Sequence, residues 1–155
     1  MMLAGTYEFN GPRQRVWDLL QDPAVLAKTL PGTERLVLSG EDRFDGVMKV
    51  SIGPVTAARF DVSVTLTEKD PPKRFVMQID GKGGVGFTRG SATIELEEQS
   101  PTLTLMRYDS NIQVGGKIAA VGQRLLEQVG KMMSKQALEA LERELRARLD
   151  REVIG

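Results

Sequence analysis

The spacing of apolar residues changes period along the chain, and each change marks an element. Leu3 to Phe9 alternates as a short strand, which Gly11-Pro12 ends. From Arg13 to Leu20 the apolar positions Val16, Trp17, Leu19 and Leu20 predict an amphipathic helix, with Pro12 suited to its first turn. Asp22-Pro23 stops it and opens a second short helix through Val25, Leu26 and Leu30, which Pro31-Gly32 closes.

From Glu34 to Gln113 the period is two, the mark of strands with one buried face. Arg43 to Ile52 sets Phe44, Gly46, Met48, Val50 and Ile52 against Asp45, Val47, Lys49 and Ser51, and Gly53-Pro54 turns the chain. Ala58, Phe60, Val62, Val64 and Leu66 then alternate with Arg59, Asp61, Ser63, Thr65 and Thr67. Phe75, Met77 and Ile79 mark a further strand, and Ala92, Ile94 and Leu96 another after the glycines at 81, 83, 84 and 86. In Thr102 to Gln113, Leu103 and Leu105 oppose Met106, Tyr108, Ser110 and Ile112 in phase, and the second set is read as inward. Short turns between such strands predict an antiparallel meander.

After Val114-Gly115-Gly116 the pattern is helical without proline. Ile118, Val121, Leu125, Val129, Met133, Ala137, Leu141, Leu145 and Leu149 form one stripe. A helix from Lys117 to Glu152 would run about 54 Å, beyond the roughly 30 to 35 Å that a domain of this size spans. The sequence therefore divides into a ligand-binding domain over residues 1–140 and an overhanging helix end over 141–155. That end, with Glu142, Arg143, Glu144, Arg146, Arg148, Asp150 and Arg151 around its stripe, is expected to dock on a partner or a second copy as a homo-oligomer contact.

One strand, two short helices, six further strands and a long helix make the α+β helix-grip order, a curved antiparallel sheet of about seven strands around a C-terminal helix. Its concave face predicts an apolar cavity. The candidate lining is Trp17, Phe44, Met48, Phe60, Val62, Phe75, Met77, Ile79, Ala92, Ile94, Met106, Tyr108 and Ser110, with Ile118, Val121, Leu125, Val129 and Met133 from the helix. Large flexible groups beside small ones leave room, and methionine adapts to irregular apolar ligands. The same residues can equally interlock as an ordinary core.

Tyr108 and Ser110 are the inward hydroxyls that could meet a ligand carbonyl or head group, unless backbone or water satisfies them. Trp17 is either at an entrance or plain core. The glycine cluster lacks the Gly-Lys-Ser/Thr ending of a phosphate loop. It is expected to bend the sheet and leave a mobile rim at Gly83, Gly84, Val85 and Phe87, with Phe87 exposed to a membrane or partner or folded into a hairpin.

Charge and composition narrow the chemistry. With 21 basic and 21 acidic residues there is no field to gather nucleic acid, which is not expected as a partner. Cysteine and histidine are both absent, which excludes disulfides, thiol nucleophiles, zinc fingers and imidazole bases. Asp45, Asp61 and Asp80 fall on the polar face of their strands, so no acid and base pair is evident inside. No metal site, resident cofactor or catalytic residue is predicted; a cavity enzyme of cyclase or hydrolase type and a pure interaction module are the alternatives to a binding protein. The first residues have neither a basic region nor a long apolar run, and nothing approaches the roughly 20 apolar residues of a membrane span, so a cytoplasmic protein is expected.

Several stretches together carry a resemblance: Phe9-Asn10-Gly11-Pro12 with Val16-Trp17, Leu26 to Leu30 with Pro31-Gly32, Ile52-Gly53-Pro54-Val55, Gly81-Lys82-Gly83-Gly84 with Gly86-Phe87, Gly90-Ser91-Ala92, and Gln113-Val114-Gly115-Gly116-Lys117. From about residue 2 to 140 the chain resembles the carbon monoxide dehydrogenase G-subunit family, within the START-like (SRPBCC), birch-pollen-allergen-like superfamily. The resemblance implies a non-catalytic accessory factor of a molybdenum hydroxylase complex, holding a quinone or lipid and recruiting the enzyme to the cytoplasmic face of the membrane. Many members carry a tail ending in a membrane segment. This sequence has a charged helical end through Ile154-Gly155, so peripheral attachment is the expectation.

Overall fold

In the computed structural model, which describes residues 1–154, the elements run β1 (Met2–Phe9), α1 (Arg13–Leu20), α2 (Pro23–Thr29), β2 (Thr33–Gly40), β3 (Arg43–Ile52), β4 (Val55–Asp70), β5 (Arg74–Gly83), β6 (Gly86–Ser100), β7 (Leu103–Gly115), a 3₁₀ turn (Lys117–Val121) and α3 (Gln123–Ile154). The strands form one antiparallel sheet in the order β1-β7-β6-β5-β4-β3-β2. The expected helix-grip architecture is the one observed.

Local chemistry sets the boundaries. Pro12 is the N-cap of α1, its carbonyl accepting from the amides of Arg15 and Val16. Asp22 caps α2 by accepting from the Ala24 amide at 3.0 Å, with Pro23 in the first turn. The β5–β6 hairpin closes through Gly84-Val85 between the paired Gly83 and Gly86, and Gly86 takes φ +146°, which favours glycine.

The single long helix expected from Lys117 is corrected. Residues 117–121 form the 3₁₀ turn, and Gly122 at φ +100° breaks the path before α3 begins at Gln123. The absence of proline hid the break, because glycine supplied it instead.

Nor do residues 141–153 overhang. Leu141 and Leu145 are buried, Leu145 to 1% exposure, in the principal core with Phe9, Val16, Trp17, Val25, Phe75 and Met106. Gly11 makes the seat: a Cβ there would stand 2.9 Å from Leu145 Cδ2. Ion pairs fasten the rim, Lys28 to Glu144 at 3.1 Å, Asp22 to Arg148 at 3.3 Å and Arg15 to Glu152. The Glu142 carboxylate accepts from the Asn10 side-chain amide at 2.7 Å and from its backbone amide. A globular diameter underestimates this body: β4 alone has 16 residues, about 53 Å of strand, and α1 and α2 lie under the end of α3. Gly155 lies outside the described residues.

A second, smaller core lies at the other end of the sheet, where Ile52, Ala58, Phe60 and Ile118 are buried. Between the two, α3 approaches the sheet most closely at β1 and then β3, with the middle strands β4 to β6 further away. Gly130 permits the approach to β1, since a Cβ there would lie 2.8 Å from Leu3 Cδ1.

Candidate functional site

Strand register builds the floor beneath α3. One row across the sheet reads Phe44, Val64, Ile79, Gly90, Ile112, and its neighbour reads Gly46, Val62, Gly81, Thr88, Val114. On the other side lie Leu66, Met77, Ala92, Ser110, Leu3 and then Phe75, Ile94, Tyr108, Gly5. The phase chosen for β7 is therefore the inward one. Each row dips at a glycine, alanine or serine, and none of the four rows contains a charged residue. Some of that room is taken: the Tyr108 ring lies over Gly5, and Thr88 leans over Gly81.

The candidate residues separate into two sets. Trp17, Phe44, Phe75, Ile94 and Met106 are sealed in the principal core, Phe60 and Ile118 in the smaller one, and Ala92 and Ser110 are buried on the floor. Trp17 is no entrance residue: its indole meets Phe75 edge-on at 5.3 Å, 88° between the planes. Met48, Val62, Met77, Ile79, Tyr108, Val121, Leu125, Val129 and Met133 are only half-buried. With Val50, Val64, Ile112, Val114 and Leu126, which the sequence reading did not select, they form a half-buried apolar band, Val64, Met77 and Tyr108 packed against the principal core and Val50, Val62, Val114, Val121, Leu125, Leu126 and Val129 against the smaller one. Val50, Val64, Ile112 and Val114 continue the strand alternation and Leu126 adjoins the helical stripe at Leu125, so the signal was present in their phase.

The two inward hydroxyls differ. Ser110 donates to the Leu3 carbonyl at 2.8 Å, so its proton is engaged by the backbone. The Tyr108 hydroxyl has no hydrogen bond to another described residue and is not sealed from solvent. Thr104, unselected by sequence, is 0% exposed and donates to the Gly11 carbonyl at 2.8 Å, tying β7 to the loop before α1. Tyr7 beside the end of α3 is pushed above the usual phenol value, first by burial and then by Glu142 and Glu139, and stays a neutral hydroxyl.

The rim is anchored rather than loose. The Ile118 amide donates to the Val85 carbonyl at 2.8 Å, pinning the hairpin tip to the 3₁₀ turn. Phe87, 38% exposed, is neither folded inward nor free: its ring covers Gly115 on the outer face and carries the Arg89 guanidinium at 5.7 Å. Gly83 and Gly84 are exposed and Val85 is half-buried.

Acid and base groups stand on the opposite surface. Asp45, Asp61 and Asp80 line an outer recess of about 670 Å³ with Arg35, Arg43 and Lys82, and a neighbouring one of about 480 Å³ adds Gln78, Arg89 and Asn111. The Arg43 guanidinium, aided by the Ser39 and Ser63 hydroxyls, holds Asp45 far below the ordinary carboxylate range. Among the described residues no helix is long and apolar enough to cross a membrane.

The family described as the G subunit of carbon monoxide dehydrogenase (CoxG) matches residues 5–146. A conserved protein from Geobacillus kaustophilus shares 30% identity over 95% of this chain and 96% of its own, with a TM-score of 0.90. A START superfamily protein from Mycobacterium smegmatis superposes at TM-score 0.73 with 12% identity, covering 94% of this chain and 97% of its own. An aromatase/cyclase, ZhuI from Streptomyces sp. R1128, gives 0.70 with 16% identity, covering 96% and 95%. These last two establish the fold alone. No curated protein matches the chain.

Proposed function

Because the chain belongs to the CoxG family of carbon monoxide dehydrogenase proteins, we propose that it binds an uncharged apolar molecule, a quinone or lipid, between α3 and the concave sheet. The observation that carries this reading is the half-buried apolar band packed against the two sealed cores. A molecule lying there meets no charge from the four rows of the floor, so its buried portion is neutral and largely hydrocarbon. Tyr108 supplies one unengaged hydroxyl, suited to a carbonyl or head-group oxygen. The absence of an acid and base pair in those rows supports a non-catalytic role. Family membership supports an accessory part beside a molybdenum hydroxylase of the carbon monoxide dehydrogenase type, with peripheral contact at the cytoplasmic face of the membrane.

Native mass spectrometry of protein purified without detergent tests the binding role. A retained apolar small molecule, displaced by a short-chain quinone or by a phospholipid, is the expected result. Protein of bare chain mass that takes up neither probe would overturn it. Co-sedimentation with the hydroxylase tests the accessory role separately.

A further inference from the structure

The end of α3, expected from sequence to join chains, is engaged within its own chain, and the unsatisfied surface lies instead on β2. This strand ends the sheet, with β3 its only strand neighbour. Val37 and Leu38 are 49% and 58% exposed. As consecutive strand residues they point to opposite faces, Val37 with Asp45 outward and Leu38 with Phe44 inward. A partner lying flat on either face covers only one of them; a strand laid along the edge covers both. Among the described residues, no hydrogen bond from elsewhere in the chain engages the free backbone side of Leu36, Val37 and Leu38. α2 packs against β2 on the inner side, where Leu36 is buried with Val25, but leaves Val37 and Leu38 exposed; at the opposite edge α3 lies close against β1 at Gly130 and Leu3.

We propose that β2 pairs antiparallel with β2 of a second copy, about a twofold axis at Val37, continuing the sheet across the dimer. The strand's own sequence supplies the complement. In that register Val37 faces Val37 on the outer surface, and Leu36 faces Leu38 on the inner one. Arg35 falls beside Ser39 of the other copy, and Glu41 follows in the turn after β2, past the bulge at Ser39, at the same end of the pair. Neither Arg35 nor Glu41 has an ion-pair partner among the described residues, whereas the adjacent Glu34 and Asp42 are already neutralised, by Lys49 and Arg59 and by Lys69. The twofold forms this pair twice, Arg35 to Glu41 and Glu41 to Arg35. Between its two bulges, at Glu34 and Ser39, the edge carries no lysine or proline of the kind that commonly guards such strands.

Sedimentation velocity over a concentration series tests this without reference to the cavity ligand. The full chain should dimerise with a micromolar constant, as a small edge interface does. Val37→Lys with Leu38→Lys should give monomer with an unchanged melting temperature, since both positions are exposed. Arg35→Glu alone and Glu41→Arg alone should each weaken the dimer about tenfold or more, and the two combined should restore it. A chain monomeric at about 500 µM, a dimer indifferent to the lysines, or a charge swap without rescue would overturn the proposal. If the monomeric chain instead loses hydroxylase binding on the Val37 and Leu38 changes, the edge serves a foreign strand and the second-copy assignment is wrong.

Discussion

Ser110 and Tyr108 stand two residues apart on the same face of β7, and only the first has its proton engaged. Ser110→Ala removes the bond to the Leu3 carbonyl and leaves a buried acceptor with one partner fewer. Thermal or urea melts should show a loss of about 1 kcal/mol, with apolar ligand binding unchanged. Tyr108→Phe should do the reverse, leaving the melt unaltered while calorimetric titration shows weaker binding of a short-chain quinone and unchanged binding of a plain hydrocarbon probe. Alternation placed both side chains inward. Their difference was not legible, because the carbonyl that engages Ser110 comes from a strand 107 residues away in sequence. The same holds for Thr104, whose polarity disguised a fully buried position.

At the scale of elements, the apolar stripe of the terminal helix was legible as far as Leu149, but its partner was not. What receives Leu145 is the missing side chain of Gly11, a vacancy no hydropathy pattern displays. Leu145→Ala should cost about 2 to 5 kcal/mol, and truncation after Ala140, which removes Leu141 as well, should leave a chain without a cooperative melt. A truncated protein that melts like the intact one would refute this packing. Glu144 gives the same junction a pH dependence. Burial alone would raise its carboxyl, but the bonds and charges of Lys28 and Arg148 outweigh it, and the group sits below the ordinary glutamate value. A depressed folded value means a contribution to stability that is complete above the unfolded value and lost as pH falls through the folded one. The melting temperature of the native chain should therefore exceed that of Glu144→Gln at pH 7, with the gap closing below about pH 4. A gap that persists in acid would show that charge at Glu144 does not matter.

For the whole molecule, the order of strands and helices specified the architecture, since a meander between two short helices and one long one has few ways to close. The height of α3 above the sheet was not specified in the same way; it is set by where the helix rests, at Gly130 against Leu3 on one side and near β3 on the other, rather than by the composition of the floor. The division of the apolar interior into two separately sealed clusters has a consequence for how the protein comes apart. Amide hydrogen exchange should proceed in two tiers, slowest at Phe9, Phe75, Met106 and Leu145, and faster at Ile118 and around Ile52 and Phe60, where fewer buried groups hold the backbone. An apolar ligand should slow the fast tier and leave the slow one unmoved; uniform protection would contradict the division. One end then serves as a keel and the other as a hatch: a molecule held under α3 as proposed would exchange by sub-global opening, at a free energy well short of that for unfolding.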